Sequence, residues 1–196
     1  GVITNPNFSP VSDEVVFARF DPKSPDVSDI WISDLEYKQA KILTKDKRMK
    51  YQPVFSPDAK QIAYVKVRES GNFSDIWLLD RTSGDVQPLT DKDSLDLYPV
   101  FSPDGKIIVY ASKPVQGDFE IYAMNGKTRS AKRLTHSKGL DSQASFSPNG
   151  ENIVFVSDRT GQKHIWVTKA DGSDPQQLTQ KNESMEPVWF RLENGE

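Results

Sequence analysis

Phe8-Ser9-Pro10, Phe55-Ser56-Pro57, Phe101-Ser102-Pro103 and Phe146-Ser147-Pro148 stand at separations of 47, 46 and 45 residues. Other landmarks keep the same beat. Ile30-Trp31, Ile76-Trp77, Ile121-Tyr122 and Ile165-Trp166 form one series, and Leu43-Thr44, Leu89-Thr90, Leu134-Thr135 and Leu178-Thr179 form another. A fifth copy begins at Glu186-Pro187-Val188-Trp189-Phe190. Fixed periods of about 40 to 50 residues belong to propellers and solenoids, in which one supersecondary unit cannot bury its apolar faces without a neighbour. The repeats run over residues 4–50, 51–96, 97–141 and 142–184, with a partial fifth over 185–196, in one domain spanning 1–196.

Within the third copy, Tyr98-Pro99-Val100-Phe101-Ser102 is a short apolar strand, and Pro103-Asp104-Gly105 supplies turn chemistry with glycine where a positive φ costs little. Ile107–Ala111 is rich in β-branched and aromatic residues and reads as a second strand, and Glu120–Met124 as a third. Asn125-Gly126 signals a second hairpin turn. Ala131–Thr135 is the most polar strand, as suits an outer edge that must resist pairing with strangers. No helical apolar period occurs in the unit. The expected fold is therefore all-β: a β-propeller of four-stranded antiparallel blades, four blades in this chain, either open or part of a larger ring. Trp31, Trp77, Tyr122 and Trp166 are expected to pack between blades.

Composition narrows the function classes. With 25 basic and 28 acidic residues and a net charge of -3, the chain lacks the excess of positive charge that a phosphate backbone demands, so nucleic acid is not the expected partner. The absence of cysteine removes disulfides, thiolate catalysis and cysteine-ligated metals. No run of 18 apolar residues exists, so helical membrane insertion is not expected.

Catalytic and metal motifs are sparse. There is no Gly-x-Ser-x-Gly elbow, and the two histidines, His136 and His164, occupy different repeat positions. Gly126-Lys127-Thr128 lacks the earlier glycine of a phosphate-binding loop. Asp91–Asp96 has spaced carboxylates but neither the glycine nor the distal glutamate of an EF-hand loop, and Asp171-Gly172-Ser173-Asp174 reads as a turn. Asn72-Phe73-Ser74 and Asn182-Glu183-Ser184 match the N-glycosylation triplet by composition alone. No cofactor and no catalytic residue is assigned.

A more informative polar set precedes each first strand: Lys50 and Gln52, Asp96 and Tyr98, Asp141 and Gln143, and finally Glu186. The repeat is expected to bring these to one mouth of the central channel, where rigid strand ends can hold a peptide or protein partner.

The run Phe-Ser-Pro-Asp-Gly, apolar strand, Ser-Asp-Arg-Thr-Gly, Ile-Trp, Asp-Gly and Leu-Thr resembles the TolB-type WD-like propeller repeat. The fourth copy matches most fully, through Phe146–Gly150, Ser157–Gly161, Ile165-Trp166-Val167, Asp171-Gly172 and Leu178-Thr179. The first copy departs, with Val11-Ser12-Asp13-Glu14 in place of Pro-Asp-Gly chemistry, as terminal repeats often do. Proteins with this repeat include the periplasmic TolB component of the Tol-Pal cell-envelope system and the propellers of prolyl-oligopeptidase-like peptidases, usually with six or more blades. The resemblance implies a non-enzymatic, exported scaffold for a protein or peptide. Its rivals are a gating propeller whose hydrolase domain lies outside this chain and a self-assembling structural repeat. Both terminal segments read as first strands, so open blade faces and homo-oligomerisation through them are also expected.

Overall fold

The computed structural model describes residues 1–181 and 183–189; Asn182, Phe190 and the rest of the expected fifth copy lie outside the described residues. Two compact units divide the chain at Phe101. In the first unit, β1 (Val2–Phe8), β2 (Glu14–Asp21), β3 (Ser24–Asp34) and β4 (Lys41–Ile42) form one four-stranded sheet in sequence order. Then β5 (Lys50–Phe55), β6 (Gln61–Val67), β7 (Ser74–Asp80) and β8 (Val86–Pro88) repeat the pattern, all with antiparallel pairing. The unit closes with β9 (Ser94–Phe101), which touches β7 in parallel at Ser74 and Leu95.

The second unit holds β10 (Ile107–Pro114), β11 (Glu120–Asn125) and β12 (Ala131–Arg133), and then the four antiparallel strands β13 (Asp141–Phe146), β14 (Asn152–Ser157), β15 (His164–Lys169) and β16 (Gln176–Gln177). Among the described residues there is no helix. Fourth strands are short and lie at the sheet edge, and the side chains of β8 and β12 are exposed throughout, in line with the polar edge read from the sequence.

The recurring Phe-Ser-Pro block owes its serine to the first hairpin. Ser102 Oγ accepts the Ile107 N–H at 3.0 Å and donates to Asp104 Oδ1 at 2.6 Å. Ser56 with Asp58, and Ser147 with Asn149, repeat the arrangement. These bonds hold the Asp104 carboxyl down at about pH 2, the Ser102 hydroxyl contributing most. Gly105 and Gly150 take φ values of 72° and 75° there, whereas the second copy carries Ala59 at 52° and packs its methyl group into the core.

Two local expectations change. The strand expected from Tyr98 starts at Ser94, because it continues through a bulge at Tyr98. Asn125-Gly126 does not make a two-residue turn. Asn125 Oδ1 instead accepts the Lys127 and Thr128 N–H groups, Arg129 N–H bonds back to Asn125 O, and the left-handed residue is Arg129 at φ 57° rather than the glycine. Asp80 organises the second copy in the same way, with Gly84 in the left-handed position.

Packing between consecutive sheets supplies the core of the first unit. Val16, Ala18, Ile30 and Ile32 from the first sheet meet Phe55, Ala59, Ile62, Tyr64 and Leu79 from the second, with Leu43, Tyr51 and Trp77 packed against them. Trp77 thus fills the expected position between blades, under the Lys66 ammonium at 4.1 Å. Trp31 lies under Arg19 and Trp166 under Arg159, each with the guanidinium within 5 Å of the ring centroid, and Tyr122 stacks on Tyr110.

The same repeat position has opposite fates in the two sheets of this unit: Phe55 is 7% exposed and Phe8 is 66% exposed. Phe55→Ala should therefore cost about 3–5 kcal/mol of stability, and Phe8→Ala no more than about 0.5 kcal/mol. Urea unfolding of the two variants is the check.

Candidate functional site

The first strands β1, β5 and β13 each carry a bulge. Asn5, Gln52, Tyr98, Gln143 and Glu186, one from each copy, all take a left-handed φ between 50° and 56° although none is glycine. Ladder register slips across the bulge, between Thr4 and Asn7, Tyr51 and Val54, and Ser142 and Ser145. Proline suits the next position, because a residue without an N–H loses nothing where the ladder is already broken. Pro6, Pro53, Pro99 and Pro187 occupy it. Left-handed φ at a non-glycine residue costs on the order of 1–3 kcal/mol, so the surroundings must hold each bulge in place.

Side-chain amides do part of that work. Gln52 Oε1 accepts the Tyr98 N–H at 2.9 Å, and Gln143 Oε1 accepts the Glu186 N–H at 3.0 Å. Asn7 Oδ1 accepts the Phe55 N–H at 2.9 Å. Asn7 and Gln52 each tie one first strand to the next, and Gln143 ties β13 to the segment at Glu186.

The sequence reading brings Lys50, Asp96 and Asp141 to one mouth of the central channel as polar groups open to a partner. All three side chains are buried. Gln52, Tyr98 and Gln143 are half-buried, and Glu186 alone is exposed. Lys50 Nζ sits in a cage of oxygens: Ser28 O at 3.2 Å, Asp29 Oδ1 at 3.1 Å, Asp46 O at 2.9 Å, Arg48 O at 3.0 Å and Asp46 Oδ1 at 2.7 Å. A buried charge is tolerable only when paired and hydrogen-bonded, and this one meets both conditions. Burial works to raise the pKa of Asp46, but the bonds from Lys50 and Lys66 outweigh it and hold the carboxyl below its usual range.

Sequence reasoning missed the other half of the arrangement, the residue immediately before each Ile-Trp or Ile-Tyr pair: Asp29, Asp75, Glu120 and His164. Its spacing from the Leu-Thr pair is the signal that could have found it. Thr44, Thr90, Thr135 and Thr179 each accept the N–H of Ile30, Ile76, Ile121 or Ile165 through Oγ1 at 2.9–3.0 Å. With its acceptor side engaged, the hydroxyl of Thr44 donates to Asp29 at 2.9 Å and that of Thr135 to Glu120 at 2.6 Å. Thr179 meets His164 Nδ1 at 3.5 Å.

Every acid in this series then takes a cation from a different place. Lys50 of the following strand serves Asp29. Arg68 grips both oxygens of Asp75 at 2.7 Å and also reaches Asp93 Oδ1 and Lys92 O. Arg133 pairs with Glu120, whose carboxyl burial pushes above its usual range against the opposing pull of Thr135 and Arg133. Asp141 accepts from Arg159 at 2.8 Å and Ser137 Oγ at 3.0 Å.

Beside the starts of β5 and β9 the first unit opens a groove of about 530 Å³. Met49, Tyr51, Val67, Phe73 and Leu95 give it an apolar lining, and Arg48 and Glu69 pair with each other there at 3.0 Å. A groove of this size matches the volume of small-ligand and short-peptide sites.

The TolB beta propeller domain matches this chain over residues 1–115 and 114–193. The chain belongs to the TolB β-propeller family. TolB from Acinetobacter baumannii superposes with a TM-score of 0.80 at 26% identity, over 94% of this chain and 45% of that one. A putative TolB from Agrobacterium tumefaciens gives 0.80 at 24% identity, over 90% and 65%. The chain thus spans about half to two-thirds of the length of these TolB structures. A puromycin-hydrolyzing peptidase of Mycobacterium tuberculosis shares the fold at a TM-score of 0.72 and 11% identity, over 90% of this chain and 28% of the peptidase.

Lys50→Met keeps the volume but leaves the half-buried Asp29 carboxylate and the Ser28, Asp46 and Arg48 carbonyls without their ammonium. It should cost about 3–5 kcal/mol, whereas Lys60→Met, at an exposed ion pair, should cost less than about 1 kcal/mol. Chemical denaturation of both variants measures the difference.

Proposed function

We propose that this chain is the non-catalytic TolB-like propeller part of an exported, cell-envelope protein, and that it binds a protein or peptide at the first-strand starts. The groove beside Tyr51 carries this reading. It combines apolar lining with rigid strand ends whose bulges are already strained into place, so a partner meets a preformed surface and little backbone need move. Gln52, next to Tyr51, and Tyr98 hold the left-handed positions of β5 and β9, and Gln143 and Glu186 are their repeat equivalents in the second unit. Lys50 acts from beneath, holding the 45–49 loop that lines the groove. Membership of the TolB family supports export to the periplasm and a protein partner, and the net charge argues against nucleic acid.

Self-association through exposed blade faces belongs to the same proposal. Phe8 in the first unit and Leu178 in the second are 66% and 54% exposed, where Phe55 and Leu89 are buried. A second copy offers repeat-equivalent apolar faces to cover them, and light scattering reads this as a mass above one chain.

A second reading, the gating propeller of a peptidase, is favoured by the likeness to the puromycin-hydrolyzing enzyme. A photo-crosslinking residue at Tyr51 or Phe73, expressed in the envelope, separates the two. The scaffold reading predicts a discrete protein adduct at both positions and none when the probe replaces Val86 on an outer strand. Absence of adducts at Tyr51 and Phe73, together with a downstream hydrolase domain carrying a nucleophile elbow in the same reading frame, would establish the peptidase reading instead.

A further inference from the structure

Each unit opens a cleft at the same repeat position, of about 400 Å³ in the first and 840 Å³ in the second. Leu43, Ala59 and Arg81 line the first, and their repeat equivalents Leu134, Gly150 and Ala170 line the second. Arg81 spans its cleft. The guanidinium lies over the Phe55 ring, 5.4 Å from the centroid, donates to the Ala59 carbonyl at 2.7 Å and grips both oxygens of Glu14 at 2.9 Å. In the second unit Phe146 replaces Phe55, Gly150 replaces Ala59, and the ion pair has become Ala170 and Ile107.

The backbone around the two clefts is the same. Ala59 N–H bonds to Ser56 O as Gly150 N–H bonds to Ser147 O, both at 2.8 Å, and Arg81 N–H bonds to Lys60 O as Ala170 N–H bonds to Glu151 O, both at 2.9 Å. Ser9 N–H meets Glu14 O as Ser102 N–H meets Ile107 O, again both at 2.8 Å. Ala59 and Gly150 both take positive φ, and Phe146 is set as deeply as Phe55. What the second cleft lacks is the arm that crosses it. Its acceptors remain: among the described residues no hydrogen bond reaches the Gly150 carbonyl. An acid has also moved in, because Asp104 stands where the first copy has Val11. Asp104 follows Pro103, whose ring lies against Gly150, and its Oδ2 pairs with the exposed Lys106, a contact of little strength.

We propose that the second-unit cleft receives an arginine side chain presented by a protein partner, with the guanidinium over Phe146, bonded to the Gly150 carbonyl and the Asp104 carboxylate, and the methylene stem along Ile107 and Ala170. The partner supplies from outside the group that Arg81 supplies from within the first unit. Charge agrees, since the lining carries two acids, Asp104 and Asp171, against one base, Lys132, which donates to the Asp171 carbonyl. Shape selects arginine over lysine, because a planar fork stacks on a ring while serving a carbonyl and a carboxylate together. The site is separate from the groove beside Tyr51 and does not rest on that reading.

The test titrates the whole isotope-labelled chain with N-acetyl-L-arginine amide and with its lysine and leucine counterparts, and reads the amide shifts of Phe146, Gly150 and Ala170 by NMR. The arginine compound should shift them saturably with a Kd on the order of 1 mM, and the other two should bind at least about fivefold more weakly. Ala170→Arg, which installs the first-unit residue, should abolish the response. Asp104→Asn keeps the turn, since Asn149 makes the same bonds in the fourth copy, and should weaken the arginine compound at least about threefold. That variant decides the matter should Ala170→Arg fail to fold. The proposal is overturned by the absence of a saturable shift, by equal or tighter binding of the leucine or lysine compound, or by undiminished affinity in either variant.

Discussion

A threonine hydroxyl that accepts the N–H of the third-strand isoleucine is the joint on which each repeat turns, and in two copies it also donates its own hydrogen to a neighbouring acid. Thr44 and Thr135 make both bonds, and Thr90 and Thr179 make the first of them. Fourth strands in this chain are two or three residues long and exposed, too short to hold themselves by ladder bonds alone. The threonine lies just past the strand, beside a leucine whose N–H returns to the isoleucine carbonyl of the third strand. The pair fastens the edge and fixes the orientation of Asp29 or Glu120. Serine performs the corresponding task at the first hairpin, so two hydroxyl relays organise one blade from opposite ends of its strands.

Once an acid is fixed below the surface it requires a cation, and the three acids find theirs in three different ways. Lys50 reaches in from the following strand, Arg68 from the connection between second and third strands, and Arg133 from the fourth strand. The consequence for function is direct. Loop 45–49 is wrapped around the Lys50 ammonium by the carbonyls of Asp46 and Arg48, and that loop supplies Arg48 and Met49 to the groove beside Tyr51. Lys50, which looks available for binding in the sequence, therefore holds the wall of the groove, whose lining mixes the apolar Met49, Tyr51 and Phe73 with the charged Arg48, Arg68 and Glu69.

The repeat, the four-strand unit, the Pro-Asp-Gly turn and the polar edges are legible because each follows from spacing or local turn chemistry. What was not legible depends on tertiary context. Lys50 and Asp141 carry charge that normally stays in water; their burial rests on partners 21 and 18 residues away, Asp29 for Lys50 and Arg159 for Asp141. Left-handed backbone at Gln52, Tyr98 and Gln143 carries no glycine to announce it. Asn125-Gly126 misled for the opposite reason, since the asparagine side chain captured two amides and moved the left-handed residue on to Arg129.

Amide hydrogen exchange of Thr90→Val tests the joint most directly. Valine keeps the shape and removes the hydroxyl, so the Ile76 N–H loses its acceptor while the packing around Leu89 is retained. The account predicts that Ile76 exchanges at least about tenfold faster, ~1.4 kcal/mol of local protection, while Ile30 in the preceding repeat keeps its protection. Unchanged exchange at Ile76, or an equal loss at Ile76 and Ile30, would contradict it.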